Sequence, residues 1–308
     1  MTARHPTFPG AALARRALPL VLLALSSVEL RGQARLAITP ERPRPGALVR
    51  LTLSNVGDRS DSAVAITGTM AGEPLHFTAS GTGYRAIGAV PVDSRDVVTA
   101  RVIVARASGE ADTVEASVTP PPLPPPAERL SVAPRFGRPL DSATEARVAR
   151  EGQRALAVGR QAHESPPRWT ASFLRPRASE ITSRFGTGRT FNGQVSSRHL
   201  GVDFRGAVGA PIRAPARGVV ALVDTFFLGG RVVYLDHGGG ITTGYLHLSR
   251  ALVAPGDTVA RGQTIGLVGA TGRVTGPHLH WTARYGVLTV NPMDLFELAP
   301  AVTRGSER

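Results

Sequence analysis

A mostly β chain built in two parts is what this sequence predicts, and three features of its 308 residues carry that expectation. Short stretches alternating apolar and polar residues recur across residues 35–118, as half-buried strands do. A proline run, Pro120-Pro-Pro-Leu-Pro-Pro-Pro126, then interrupts the pattern. From about residue 170 the sequence turns β-like again and becomes dense in glycine and valine. A hydrophobic content of 42% describes a globular chain, neither disordered nor membrane-embedded.

The elements follow in order. Arg15 and Arg16 lead into the apolar run Ala17–Leu25, and small polar residues come after it. That run is too short for a bilayer, which needs about 20 apolar residues. It has the layout of a secretory signal over residues 1–34, with cleavage expected after Ala34 in Gly-Gln-Ala. The chain has no cysteine, which excludes disulfides and a cysteine-linked lipid anchor. Its net charge of +13 comes entirely from arginine, since no lysine occurs. Arginine stays charged at any physiological pH, and such a field favours polyanions. Export to the periplasm or cell envelope leaves anionic lipid and an anionic cell-wall polymer open as partners. It argues against nucleic acid, and against a stable membrane span once the signal is removed.

Ala47–Leu53, Ser62–Gly68, Leu75–Thr78, Tyr84–Ile87, Val97–Val104 and Thr113–Val118 are the strand candidates of the first part. Six or seven strands over residues 35–118 predict an immunoglobulin-like β-sandwich. With one histidine, His76, and no clustered acids, it reads as a spacer or binding module. Residues 119–168 form a proline-rich linker and helix. The proline run is a semi-rigid connector. Ser142-Ala-Thr-Glu145 has the pattern of a capping box and opens a helix to about Gln161. That helix is rich in Ala and Arg, with few large apolar residues, and is expected to lie across a domain surface or fold against it; it could also cover the groove until a partner removes it.

Residues 169–298 carry the remaining strands: Val219–Val223, Arg231–Asp236, Ile241–Leu248 and Thr264–Val268, followed by a tail at 299–308. Asp236-His-Gly-Gly-Gly240 is expected to form a hairpin turn, which makes His237 structural. Three short segments here hold chemistry. Period-two alternation puts His199, Gly201 and Asp203 on one face, and Leu200, Val202 and Phe204 on the other. It pairs His278 with His280, and Tyr245 with His247. Imidazole and carboxylate are the ligands Zn²⁺ takes when one position stays open. No glutamate lies between Glu180 and Glu297, so the base of a His-Glu-x-x-His protease is missing. Histidine is then the expected proton acceptor.

His199-x-x-x-Asp203, His247 and His278-x-His280 together resemble the lysostaphin-type (LytM-like) zinc metallopeptidases, which cut peptide bonds of peptidoglycan. The resemblance runs from about Pro167 to Phe296. It includes Thr182-Ser-Arg-Phe-Gly186, Ala214-Pro-Ala-Arg-Gly-Val219, Gly269-Ala-Thr-Gly272 and, most distinctively, Gly276-Pro-His-Leu-His-Trp281. It implies an antiparallel β domain of the duplicated hybrid motif type. It also implies Zn²⁺ on His199, Asp203 and His280, with His247 and His278 as the catalytic pair that orients and deprotonates water. Some relatives place an assisting tyrosine shortly before the first ligand, where this chain reads Phe191-Asn-Gly-Gln-Val195. Asn192, Arg198 or Tyr245 could take that substrate-binding role, and Arg184, Arg189 and Arg198 could attract stem-peptide carboxylates. The implied partners are peptidoglycan and a protein that recruits or activates the enzyme.

The alternative is a catalytically silent wall-binding regulator that activates another hydrolase. Such proteins lose ligands, whereas all five positions are present here. Val253–Ile265 is also similar to biotinyl and lipoyl carriers, but those need a lysine and this chain has none. A phosphocarrier with paired histidines would be cut off from its cytoplasmic donor by export.

Overall fold

The computed structural model describes residues 1–2, 33–56 and 63–298. The expected signal segment and the C-terminal tail lie almost wholly outside the described residues. Among the described residues no helix is long and apolar enough to cross a membrane.

The first part contains β1 (Arg35–Thr39), β2 (Leu48–Ser54), β3 (Ala63–Met70), β4 (Glu73–Pro74), β5 (Thr78–Ser80), β6 (Gly83–Ala89), β7 (Val98–Arg106) and β8 (Ala111–Val118). They make two four-stranded antiparallel sheets, in the orders β1-β2-β6-β5 and β4-β3-β7-β8. Every second residue of β7 is buried, and Leu51, Leu53, Met70, Ala100, Val102 and Val104 from both sheets share one core. The two sheets therefore form a sandwich. Leu75–Thr78 is not the single strand its alternation suggests. The chain turns at Ala71 and Gly72, both in the left-handed region, then crosses between sheets. His76 lies in that crossing, between β4 and β5.

The proline segment does not end as a free connector. Its last residue begins β9 (Pro126–Leu130), which runs parallel to a strand of the second part. Helix α1 (Ser142–Gln161) starts one residue earlier than the capping-box reading implies. Asp141 is its N-cap, accepting from Thr144 N at 2.8 Å. Ala155 and Val158 pack on Phe226, Val232 and Tyr234, and Glu151 accepts from Phe227 N at 2.7 Å. These contacts seat the helix against the main sheet, and it contributes no side chain to the groove described below. The helix folds against the domain surface as expected, and the further option of covering the groove is not met.

The second part adds β10 (Ile181–Ser183), β11 (Gly188–Phe191), β12 (Val195–Arg198), β13 (Val202–Arg205), β14 (Pro211–Arg213), β15 (Gly218–Phe226), β16 (Gly230–Asp236) and β17 (Ile241–Leu248). It ends with β18 (Arg250–Ala251), β19 (Thr258–Val259), β20 (Thr264–Leu267), β21 (His278–Tyr285) and β22 (Leu288–Val290). The main sheet runs β10-β13-β21-β17-β16-β15-β19, all antiparallel, with β22 on the free length of β21. Two small sheets flank it, β12-β11-β9 and β14-β20-β18. Val202, Phe204, Tyr245, Leu279 and Trp281 all point to one core. Burying each large side chain contributes roughly 1.5–3 kcal/mol. That face anchors the central strands and leaves the opposite face for chemistry. Asp236–Gly240 turns as expected, with Gly238, Gly239 and Gly240 at φ 73°, 56° and 79°. His237 is fully buried, bonded to Arg217 O at 2.9 Å and Thr243 Oγ1 at 2.8 Å, a structural role.

The sandwich packs directly on this domain. Leu48 and Ala89 join the C-terminal core, Leu48 N donates to Asp294 Oδ2 at 2.9 Å, and Tyr285 Oη donates to Pro74 O at 2.6 Å. Glu73, buried, and His163 and His76, partly buried, form a chain where sandwich, helix and sheet meet. Glu73 Oε2 lies 2.9 Å from His163 Nε2, and His163 Nδ1 lies 2.8 Å from His76 Nε2. Burial, then the neighbouring His163, lowers the His76 pKa.

Candidate metal centre

Asp203 and His280 face each other across the β13–β21 pair, in register. His199 precedes β13, in the turn that follows β12, rather than on the strand itself. Leu200 is accordingly exposed and does not face the core as alternation suggests. Gly201 does not leave an ion-sized gap. It makes room for the His280 ring, since a Cβ there would stand 2.6 Å from Cε1 and Nε2 of His280.

Three donor atoms converge. His199 Nε2 is 3.0 Å from Asp203 Oδ1 and 3.0 Å from His280 Nδ1, and His280 Nδ1 is 2.8 Å from Asp203 Oδ1. His199 Nδ1–H donates to Arg184 O at 2.9 Å, so its Nε2 carries a lone pair. A single proton on His280 cannot satisfy a closed triangle of three acceptor-type atoms. A cation can. Tetrahedral zinc ligands about 2.0–2.1 Å from the metal stand about 3.3 Å apart, a small outward shift from the spacing here. The residues thus fit Zn²⁺ by donor type and by convergence.

The electrostatics agree. Burial alone would raise the Asp203 pKa, but the imidazoles of His199 and His280 against it hold its carboxyl far below the usual range. Arg189 Nη2 donates to the other carboxylate oxygen at 2.7 Å. His280 is lowered to about 4, first by burial and against the pull of Asp203.

His247 and His278 stand beside this triangle, their rings 4.9 Å apart, with His247 5.8 Å from His280. His278 shares the β21 face with His280 by simple alternation. His247 does not follow that rule. Leu246 pairs with His280 and Tyr245 with Trp281, so alternation would send His247 to the core with Tyr245. A left-handed backbone at His247, φ 65°, turns its ring to the site instead. Its Nδ1–H donates to Thr271 O, and that of His278 to Gly276 O, each at 2.8 Å. Both rings therefore present Nε2 as a lone-pair nitrogen. Burial, then His280 and His278, lowers the His247 pKa. All five residues line one groove of about 590 Å³, with Glu128, Leu130, Leu228 and Leu246 among its walls.

Two expected substrate contacts, Tyr245 and Asn192, need correction. Tyr245 is fully buried with its hydroxyl on Thr243 Oγ1 at 2.8 Å, away from the groove, because the turn at His247 separates the two faces. Asn192 spends its amide on the backbone of Val132, accepting at 2.9 Å and donating at 3.1 Å. Arg198 lines the groove, yet its Nη1 holds the carbonyls of Gly186 at 2.7 Å and Pro124 at 3.1 Å. Arg189, expected to attract substrate, is committed to Asp203 and Glu128. Sequence reading missed Glu128, Ser183 and Arg273. Arg273 also lines the groove, 4.1 Å over the Phe191 ring. Ser183 lies in the Thr182–Gly186 stretch of the family resemblance, but nothing local marks Glu128 or Arg273, since each acts on a partner distant in the chain.

Residues 197–292 match the model of Peptidase family M23. The peptidoglycan DD-endopeptidase ShyC of Vibrio cholerae is 42% identical over 114 residues, 36% of this chain and 26% of that protein. The chain thus spans about a quarter of that relative's length. A solved Pseudomonas aeruginosa structure assigned to peptidase M23 is 26% identical, covering 83% of this chain and 95% of the other with a TM-score of 0.62. The catalytic domain of lysostaphin from Staphylococcus simulans is 30% identical, covering 39% of this chain and 93% of its own, with a TM-score of 0.36. With its matched segment holding the whole donor triangle and both flanking imidazoles, this chain belongs, through its C-terminal domain, to the M23 peptidases.

Proposed function

We propose that the chain is an exported zinc-dependent endopeptidase that cuts peptide cross-links or stem peptides of peptidoglycan. The observation that carries the reading is the closed triangle of His199 Nε2, Asp203 Oδ1 and His280 Nδ1 beside two imidazoles whose free nitrogens face it. Zinc bound by those three residues would polarise a substrate carbonyl and activate water. His247 is the proton acceptor in this reading. Thr271 O fixes its tautomer, so Nε2 can take a proton from water attacking the bond. His278, held by Gly276 O, would steady the developing negative charge from the other side once it carries a proton.

The relatives named peptidoglycan DD-endopeptidases support the substrate class. The open groove supports it too, since an extended, branched peptide must enter from the side. Export rests on the Arg15–Leu25 segment. The strand order of the N-terminal sandwich, β1-β2-β6-β5 facing β4-β3-β7-β8, supports an immunoglobulin-like module.

The test incubates full-length protein with intact sacculi, with and without chelator, and identifies released fragments by mass spectrometry. Chelator-sensitive release of peptides cut at an amide bond is expected. Release that ignores chelator, or none from zinc-loaded protein, overturns the reading. His247→Ala should keep its zinc and lose about 10²–10⁴ in kcat.

A further inference from the structure

Glu128 lies on β9, between the sandwich and helix α1, yet its carboxylate stands behind the metal centre. β9 pairs with β11 so that Glu128 is opposite Arg189. Both oxygens are used: Oε1 accepts from Ser183 Oγ at 2.7 Å, and Oε2 from Arg189 Nε at 2.8 Å. Each partner passes the contact on. Arg189 Nη2 donates to Asp203 Oδ2 at 2.7 Å, and Ser183 Oγ stands 3.3 Å from His199 Nδ1. One carboxylate from outside the domain's main sheet therefore backs two of the three donor residues.

We propose that Glu128 is a positioning residue for the metal centre, so that the connecting segment must be seated on β11 for the site to hold zinc tightly. This rests on the reading that His199, Asp203 and His280 are the ligands. Two physical effects follow from the contacts. Fixing the Nε edge of Arg189 aims its Nη2 at the Asp203 oxygen that faces away from the triangle, which leaves Oδ1 for a metal. The negative charge of Glu128 also offsets the guanidinium, which would otherwise repel a cation through Asp203.

The seat of β9 is built rather than incidental. Asn192 brackets Val132 with its amide and donates its backbone N–H to Leu130 O at 2.9 Å. Arg198 holds Pro124 O. Gly188 passes so close to Pro126 that a Cβ would stand 2.6 Å from its Cα. Residues supporting metal ligands from behind typically change metal affinity by about 10–100-fold when removed.

The test measures zinc affinity of the full chain by competition with a chromophoric chelator, beside the melting temperature of the chelated protein. Glu128→Gln keeps shape and removes charge, and Glu128→Ala removes both. We expect zinc at least about 10-fold weaker in Glu128→Gln and weaker still in Glu128→Ala. The metal-free melting temperature of Glu128→Gln should change little. Arg129→Ala, exposed on the same strand, should bind like wild type. Wild-type affinity in Glu128→Gln overturns the proposal and decides the matter even if Glu128→Ala does not fold. Equal weakening in Arg129→Ala also overturns it. Wild-type protein that takes up no zinc overturns instead the ligand reading beneath it.

Discussion

Two clusters in this molecule join histidines to a carboxylate, and they differ in one respect. At the domain junction the groups form a line, Glu73 to His163 to His76, in which each contact joins one pair of atoms. Protons satisfy such a line completely. At the candidate metal centre the groups form a triangle, and two lone-pair atoms are left facing one another. Residue type alone cannot separate a structural cluster from a ligand set. The shape of the contact graph does, because a hydrogen bond is shared by two atoms and a cation by several.

The largest test of that contrast exchanges the two clusters. His280→Ala should abolish zinc binding and hydrolysis, whereas His163→Ala should leave zinc affinity unchanged. In wild type, zinc at 100 times its Kd stabilises by about 2.7 kcal/mol, worth roughly 5–10 °C in melting temperature. His280→Ala should lose this metal-dependent rise, and calorimetry with and without zinc reads it directly. Zinc loss in His163→Ala would mean that the line, too, serves the metal.

A smaller effect is expected on stability. His163→Ala leaves Glu73 buried without its imidazole and should cost roughly 3 kcal/mol, about 6–12 °C. Val287 N still donates to Glu73 Oε1 at 3.1 Å, which limits the loss. Thermal melts in chelator measure it apart from metal binding. An unchanged melting temperature would show that the line holds nothing together.

The smallest effect is a pH slope. The folded pKa of His76 lies below its ordinary value of 6.5, so in that window the unfolded chain binds a proton that the native chain does not. Stability should therefore fall as pH drops below about 6.5, where His163, Glu73 and Tyr285 surround the junction. His76→Gln in chelator should flatten the slope between about pH 7 and pH 5. An identical slope in the variant would place the titration elsewhere.

Much of this was legible in the sequence. Period-two alternation put His278 beside His280 and sent Leu279 and Trp281 to the core, because β21 is a regular strand flanked on both sides. The sandwich strands were readable for the same reason. Alternation failed where the backbone leaves the strand region, at Leu200 before β13 and at His247 within β17. Glu128 was illegible on other grounds. It sits in a segment whose prolines predict a spacer, and its role comes from a parallel pairing with residues about 60 positions away. Short-range patterns carry no trace of such a contact.

The left-handed backbone at His247 has a consequence for anyone engineering this enzyme. A side chain with a Cβ held there stores strain of order 1 kcal/mol, which glycine or asparagine would relieve. On the reading that His247 is the proton acceptor, selection for heat tolerance alone would drift toward those residues and hand back a sturdier, inert protein. Screens for hardiness should therefore hold position 247 fixed.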